Sequence, residues 1–178
     1  MVNTGQQYDE QVRFCKDIFV KKMKDYGSAW RVLRTSSITD QIFIKANRIR
    51  NIEIKGKQRV EEDIRSEYAG ILNYSVIGMM QIALEQDPRM EIPADEAALH
   101  FDKIMKLARE LMENKNHDYG EAWREMRVSS LTDLILMKIH RIKQIEDNSG
   151  KTIISEGIDA NYLDMINYSV FALIKLSE

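Results

Sequence analysis

The sequence predicts an all-α protein, a helical bundle built from two tandem three-helix repeats related by a pseudo-twofold axis. Three observations carry that expectation. The 178 residues hold only eight Gly and two Pro, so helix breakers are scarce. No stretch alternates apolar and polar residues in the way a half-buried strand does. Most telling, the chain is written twice. Asp25-Tyr26-Gly27-Ser28-Ala29-Trp30-Arg31 returns as Asp118-Tyr119-Gly120-Glu121-Ala122-Trp123-Arg124, a shift of 93. Between Asp25 and Glu53, 17 of 29 positions equal their partners. With one residue inserted the register continues, pairing Glu62 with Glu156, Tyr68 with Tyr162, and Asn73-Tyr74-Ser75-Val76 with Asn167-Tyr168-Ser169-Val170.

Each half reads as three helices. The first is expected over about Tyr8 to Lys24, where Val12, Cys15, Phe19 and Met23 fall at helical spacing, and over about Asp95 to Lys115 in the second half. Both end near Asp-Tyr-Gly, where Gly can take the left-handed conformation that closes a helix. A short segment carrying the Trp leads to Ser37-Ile38-Thr39-Asp40 and Ser130-Leu131-Thr132-Asp133, a Ser with an acid three residues on, which reads as an N-cap with a variant capping box. The second helices follow, roughly Ile38 to Ile54 and Leu131 to Asp147, with Gly56 and Gly150 as breaks. The third are expected over about Val60 to Leu84 and Ser155 to Leu176. Both prolines, Pro88 and Pro93, lie between the halves, so the expected division is 1–86, a linker at 87–94, and 95–178. A three-helix unit has little core of its own, so the halves should pack on each other as an isologous dimer does.

Composition narrows the function. Hydrophobic residues are 44% and charged residues 30%, with a net charge of −2. That balance lacks the positive field on which nucleic-acid binding relies, so no direct nucleic-acid partner is expected. Cys15 is the sole cysteine, which excludes an intrachain disulfide and a multi-Cys metal site. The start is polar and no apolar run approaches the roughly 20 residues of a membrane span. The expectation is a soluble cytoplasmic protein, a monomeric pseudo-dimer or a homodimer.

Residues kept in both copies are the candidates for chemistry. Trp30 and Trp123 are core aromatics or platforms on which a base stacks. Lys45 and Arg48, with Lys138 and Arg141, sit three apart on one helical face, where they can meet phosphate oxygens or pair with nearby acids. Arg31, Arg34, Arg124 and Arg127 flank the Trp turn, and planar guanidinium suits phosphate and carboxylate equally. Asn73 and Asn167 lie inside apolar helices and need hydrogen-bond partners. For Mg²⁺, a hard ion that prefers carboxylates, the candidates are Asp40, Glu62 and Glu67 in the first half and Asp133, Glu156 and Asp164 in the second. The third helices differ at two of these positions: Glu67 faces Asn161, and Gly70 faces Asp164. An acid-x-x-acid pair divided between the copies would make the halves unequal.

The Asp-Tyr-Gly-x-Ala-Trp block, the Ser-Ser-[Ile/Leu]-Thr-Asp segment, the Lys-x-x-Arg-Ile helix and the Asn-Tyr-Ser helix resemble the nucleotide modification associated domain, type 1. The resemblance covers both halves and implies a link to nucleotide or modified-base metabolism. A more distant likeness is to the MazG-like all-α nucleoside triphosphate pyrophosphohydrolases, which hold Mg²⁺ through Glu-x-x-Glu and Glu-x-x-Asp pairs. This chain matches only in the split form Glu67-x-x-Gly70 and Asn161-x-x-Asp164, and its second helices have no Glu-x-x-Glu. These resemblances imply a nucleotide-interacting protein, either a Mg²⁺-dependent pyrophosphohydrolase or a non-catalytic helical module in a nucleotide-handling complex.

Overall fold

The computed structural model describes residues 3–57, 63–153 and 156–178. Six α-helices run in the order α1 (Thr4–Tyr26), α2 (Thr35–Lys55), α3 (Ile64–Ala83), α4 (Ala94–Tyr119), α5 (Val128–Asp147) and α6 (Ile158–Ser177). Single 3₁₀ turns, Ala29–Val32 and Ala122–Glu125, carry the tryptophans between the first and second helix of each half. No strand occurs among the described residues. None of their helices is long and apolar enough to cross a membrane.

The helix ends follow local chemistry. Asn3 and Asp63 cap α1 and α3 by accepting from the backbone N–H of Gln6 and Ser66. Gly27 and Gly120 close α1 and α4 with φ of 59° and 57°, a region in which a side chain would be strained. The second helices start earlier than the capping pattern suggests. Arg34 and Arg127, both extended, are the N-caps of α2 and α5, and neither helix has a side-chain cap. Ser37 and Ser130 therefore lie inside the first turn. This frees the following Thr and Asp for a different task.

That task is the contact between halves, where each bond recurs with the halves exchanged. The Thr39 hydroxyl meets the Tyr162 hydroxyl at 3.1 Å and the Glu146 carboxylate at 2.8 Å. In the reciprocal place, Tyr68 meets Thr132 at 2.6 Å, and Thr132 bonds Glu53. Asp40 pairs with Lys143 at 3.1 Å, and Asp133 with Arg50 at 3.9 Å. Matching positions of the two halves thus meet the opposite half. Buried side chains from all six helices contribute to one apolar cluster, with α3 and α6, the most apolar helices, lying at its centre. Gly78 of α3 lets the Tyr162 ring approach so closely that an added Cβ would sit 2.7 Å from its Cζ.

Candidate functional site

The first half contains a cavity of about 510 Å³ between α1, the Trp30 turn, α2 and α3. That volume falls within the roughly 300–1,000 Å³ range of small-molecule sites. One wall is the Trp30 ring, half-buried, with its indole Nε1 directed at Met23 Sδ at 3.3 Å. The floor is one face of α3, on which Glu67, Gly70, Asn73 and Ile77 succeed one another by about a helical turn. Lys22 and Lys45 bring positive charge from α1 and α2. Glu67, 3% exposed, is held by Arg48 at 3.0 Å and lies 3.8 Å from the Lys45 ammonium. Asn73 donates from Nδ2 to the Cys15 carbonyl at 3.1 Å, while its buried Oδ1 has no partner.

The second half shows what the same framework looks like when closed. Its counterpart of Ile77 is Phe171, whose ring lies flat on Trp123 with centroids 4.3 Å apart and planes 5° from parallel. The counterpart of Gly70 is Asp164, whose carboxylate accepts from Lys115 at 2.7 Å and Lys138 at 2.9 Å. Lys115 and Lys138 correspond to Lys22 and Lys45. Trp123 is consequently only 6% exposed. Among the described residues no aromatic ring stacks on Trp30, and Lys22 has no acidic partner.

The orphaned Asn73 oxygen has a similar origin. Its counterpart, Asn167, donates to the Ala108 carbonyl at 2.9 Å and accepts from the Tyr8 hydroxyl at 2.7 Å across the halves. The residue corresponding to Tyr8 is Phe101, which has no hydroxyl to give.

Of the candidates drawn from sequence, Trp30, Lys45, Glu67 and Asn73 line the cavity, with Arg48 behind Glu67. Arg31 is not brought there. Its guanidinium donates to Gln81 Oε1 and to the Arg89, Leu84 and Asp87 carbonyls, tying the chain that links the halves to the Trp turn. Arg124 stacks on Trp123 and bonds Glu121, Gln7 and Glu178. Arg34 and Arg127 are exposed at the starts of α2 and α5. Lys138 belongs to the closed cluster around Asp164, and Arg141 lines a second cleft with buried Asn161 and exposed Glu156.

The carboxylates do not converge. Asp40 and Asp133 serve the contact between halves, Asp164 is held by two lysines, and Glu62 lies outside the described residues. Among the described residues no three His, Cys, Asp or Glu side chains gather as a metal site. A Mg²⁺ ion among the described residues would need these carboxylates released from their present partners.

Sequence reasoning passed over Lys22, Ile77 and Phe171. Lys22 precedes the block of dense identity, although the shift of 93 extends back to pair it with Lys115. The Ile77–Phe171 difference looks like ordinary apolar drift until the tryptophan opposite is known.

No curated protein and no solved structure matches the chain. A family model does, in two segments that repeat the duplication. On the match over residues 22–82 and 115–176, the chain belongs to the family of nucleotide modification associated domain 1.

Proposed function

We propose that the first half binds a nucleotide in the cavity beside Trp30, with the base stacked on the indole and the charged end directed towards Lys22 and Lys45. One observation carries this reading. Where the second half seats its own Phe171 on Trp123, the first half has Ile77 and an open cavity against Trp30. A stacked base gains about 1–3 kcal/mol on an aromatic side chain. The family supports the ligand class, since its description links it to nucleotides.

Binding without turnover is the form of the reading we favour over Mg²⁺-dependent pyrophosphohydrolysis. Among the described residues Glu67 is the one acid lining the cavity, and its carboxylate is engaged by Arg48. The protein on this reading is a nucleotide-sensing or nucleotide-delivering module, and hydrolysis would require acids that the described residues do not assemble.

Titration of the full chain with nucleosides and nucleotides, followed by Trp emission and thermal shift, tests the reading. Binding should quench emission in the wild type. Ile77→Phe, which supplies the first half with a ring like Phe171, should abolish quenching while raising or preserving the melting temperature. Absence of any quench or shift across the panel would remove the proposal, as would Ile77→Phe binding as well as wild type.

A further inference from the structure

The closed half holds a template of the ligand that the open half accepts. On α6, Asp164 and Phe171 are seven residues apart, two helical turns, so they share one face at a separation of about 10 Å along the axis. One presents an anion to Lys115 and Lys138; the other presents a planar ring to Trp123. On α3 the same two places hold Gly70 and Ile77, which present neither. Yet the receiving groups, Lys22, Lys45 and Trp30, are all retained around the first-half cavity.

From this we infer, building on the nucleotide reading above, that the ligand is a planar base joined to a single anionic group, set two helical turns apart along the site as the base and phosphate of a nucleoside 5′-monophosphate would be. The base takes the place of Phe171 and the phosphate that of the Asp164 carboxylate, over Gly70. The second half accepts no ligand, because its own side chains already occupy both places. One chain binds one molecule.

The charges around Gly70 agree with this assignment. Glu67 is the nearest acid; Arg48 bonds it at 3.0 Å, and Lys45 makes only the longer ion pair to it at 3.8 Å. Lys45 instead folds its Cδ and Cε against Gly70, within 2.7–2.8 Å of where a Cβ would be. It thus lies in the space that the Asp164 side chain fills in the other half. A flexible lysine in that position can swing outward onto an entering phosphate, and Lys22 meets the phosphate from α1. Charge-assisted bonds from two ammonium groups are among the stronger hydrogen bonds available to a protein.

Isothermal titration calorimetry on the full chain tests the inference, using adenosine, guanosine, cytidine and thymidine beside their 5′-monophosphates. For at least one base the monophosphate should bind about tenfold or more tightly than the nucleoside, a difference of about 1.4 kcal/mol, with one site per chain. Gly70→Asp should install the missing carboxylate, displace the far end of Lys45, and erase the monophosphate advantage over the nucleoside. Lys22→Gln, at an exposed position, should reduce the same advantage, with melting curves confirming that both variants fold. Equal affinity for nucleoside and monophosphate, two sites per chain, or an undiminished preference in both variants would overturn the inference while leaving base stacking intact. Failure of every nucleoside and nucleotide to bind would overturn the stacking reading itself, and this inference with it.

Discussion

Tyr8→Phe offers a sharp test of how the halves are joined, because the structure already contains its outcome. In the wild type the Tyr8 hydroxyl donates to Asn167 Oδ1 at 2.7 Å, with the two residues 1% and 4% exposed. Removing the hydroxyl leaves Asn167 as Asn73 already is, with a buried carbonyl oxygen that nothing satisfies. Losing one partner of a buried bond costs about 1–3 kcal/mol, more than the bond's net worth of about 1 kcal/mol, because the remaining group stays desolvated. For a chain of this size, each kcal/mol lowers the melting temperature by about 2–4 °C. The reverse change, Phe101→Tyr, places a hydroxyl where the exchange of halves directs it to Asn73 Oδ1, and should stabilise by about 1 kcal/mol. Urea unfolding reads both, with the midpoint moving and the slope unchanged if the native fold is kept. The double variant should come close to the sum of the two, since each bond has its own partners. A Tyr8→Phe cost under about 0.5 kcal/mol would refute the unsatisfied-acceptor argument. A Phe101→Tyr loss above about 1 kcal/mol would show that overpacking at Phe101 outweighs the bond.

Two further outcomes follow from the contact between halves. Gly78→Ala normally favours a helix, but here the new Cβ meets the Tyr162 ring at 2.7–3.1 Å and should destabilise by about 1–3 kcal/mol in thermal melts; a neutral or stabilising result would mean that the two helices separate freely. Burial raises the carboxyl pKa of Glu53 and Glu146 above the ordinary value, against the bonds from Thr132 and Thr39. A raised folded pKa means that the charged form is a cost above that pKa, relieved as the pH falls towards the unfolded value of about 4.3. Glu53→Gln with Glu146→Gln should therefore raise the melting temperature at pH 7.5, and the gain should shrink by pH 4.5. An unchanged gain at both values would assign the effect to something other than ionisation.

Much of the fold was legible because it rests on pattern. Helical spacing, two glycine stops per half and a shift of 93 are enough to place six helices and their order. Helix starts were less legible, since the Ser-x-x-Asp segments imitate a capping box. What decides the start is the extended backbone of Arg34 and Arg127, and Asp40 and Asp133 turn away to pair across the halves. The site was legible only in part. Trp30, Lys45 and Glu67 could be named from sequence, but their convergence depends on α1 lying against α3, which no local signal encodes. Arg31 was misleading for a related reason. An arginine that bonds three backbone carbonyls and one that waits for a phosphate look alike until the chain's path past Leu84 to Arg89 is known.

Identity between the copies marks two different constraints, and only the structure separates them. Thr39, Asp40, Glu53 and Tyr68 match their partners because each residue of a reciprocal contact meets the other copy's counterpart. Changing one member in one copy breaks a pair, so the contact resists divergence whether or not either half binds anything. Trp30, Lys22 and Lys45 match Trp123, Lys115 and Lys138 for another reason, since each half keeps a ring to stack on and two ammonium groups to neutralise. The positions that differ are the ones that satisfy those groups: Gly70 against Asp164, and Ile77 against Phe171. In the second half Phe171 stacks on Trp123, although the buried indole N–H has no partner among the described residues, and Asp164 pairs with both lysines. The first half keeps the receiving groups but neither the ring nor the Gly70-position carboxylate. Among the described residues, an unstacked Trp30, an unpaired Lys22 and a Lys45 held only by a 3.8 Å ion pair to Glu67, beside a cavity of about 510 Å³, are what a charged aromatic ligand would complete.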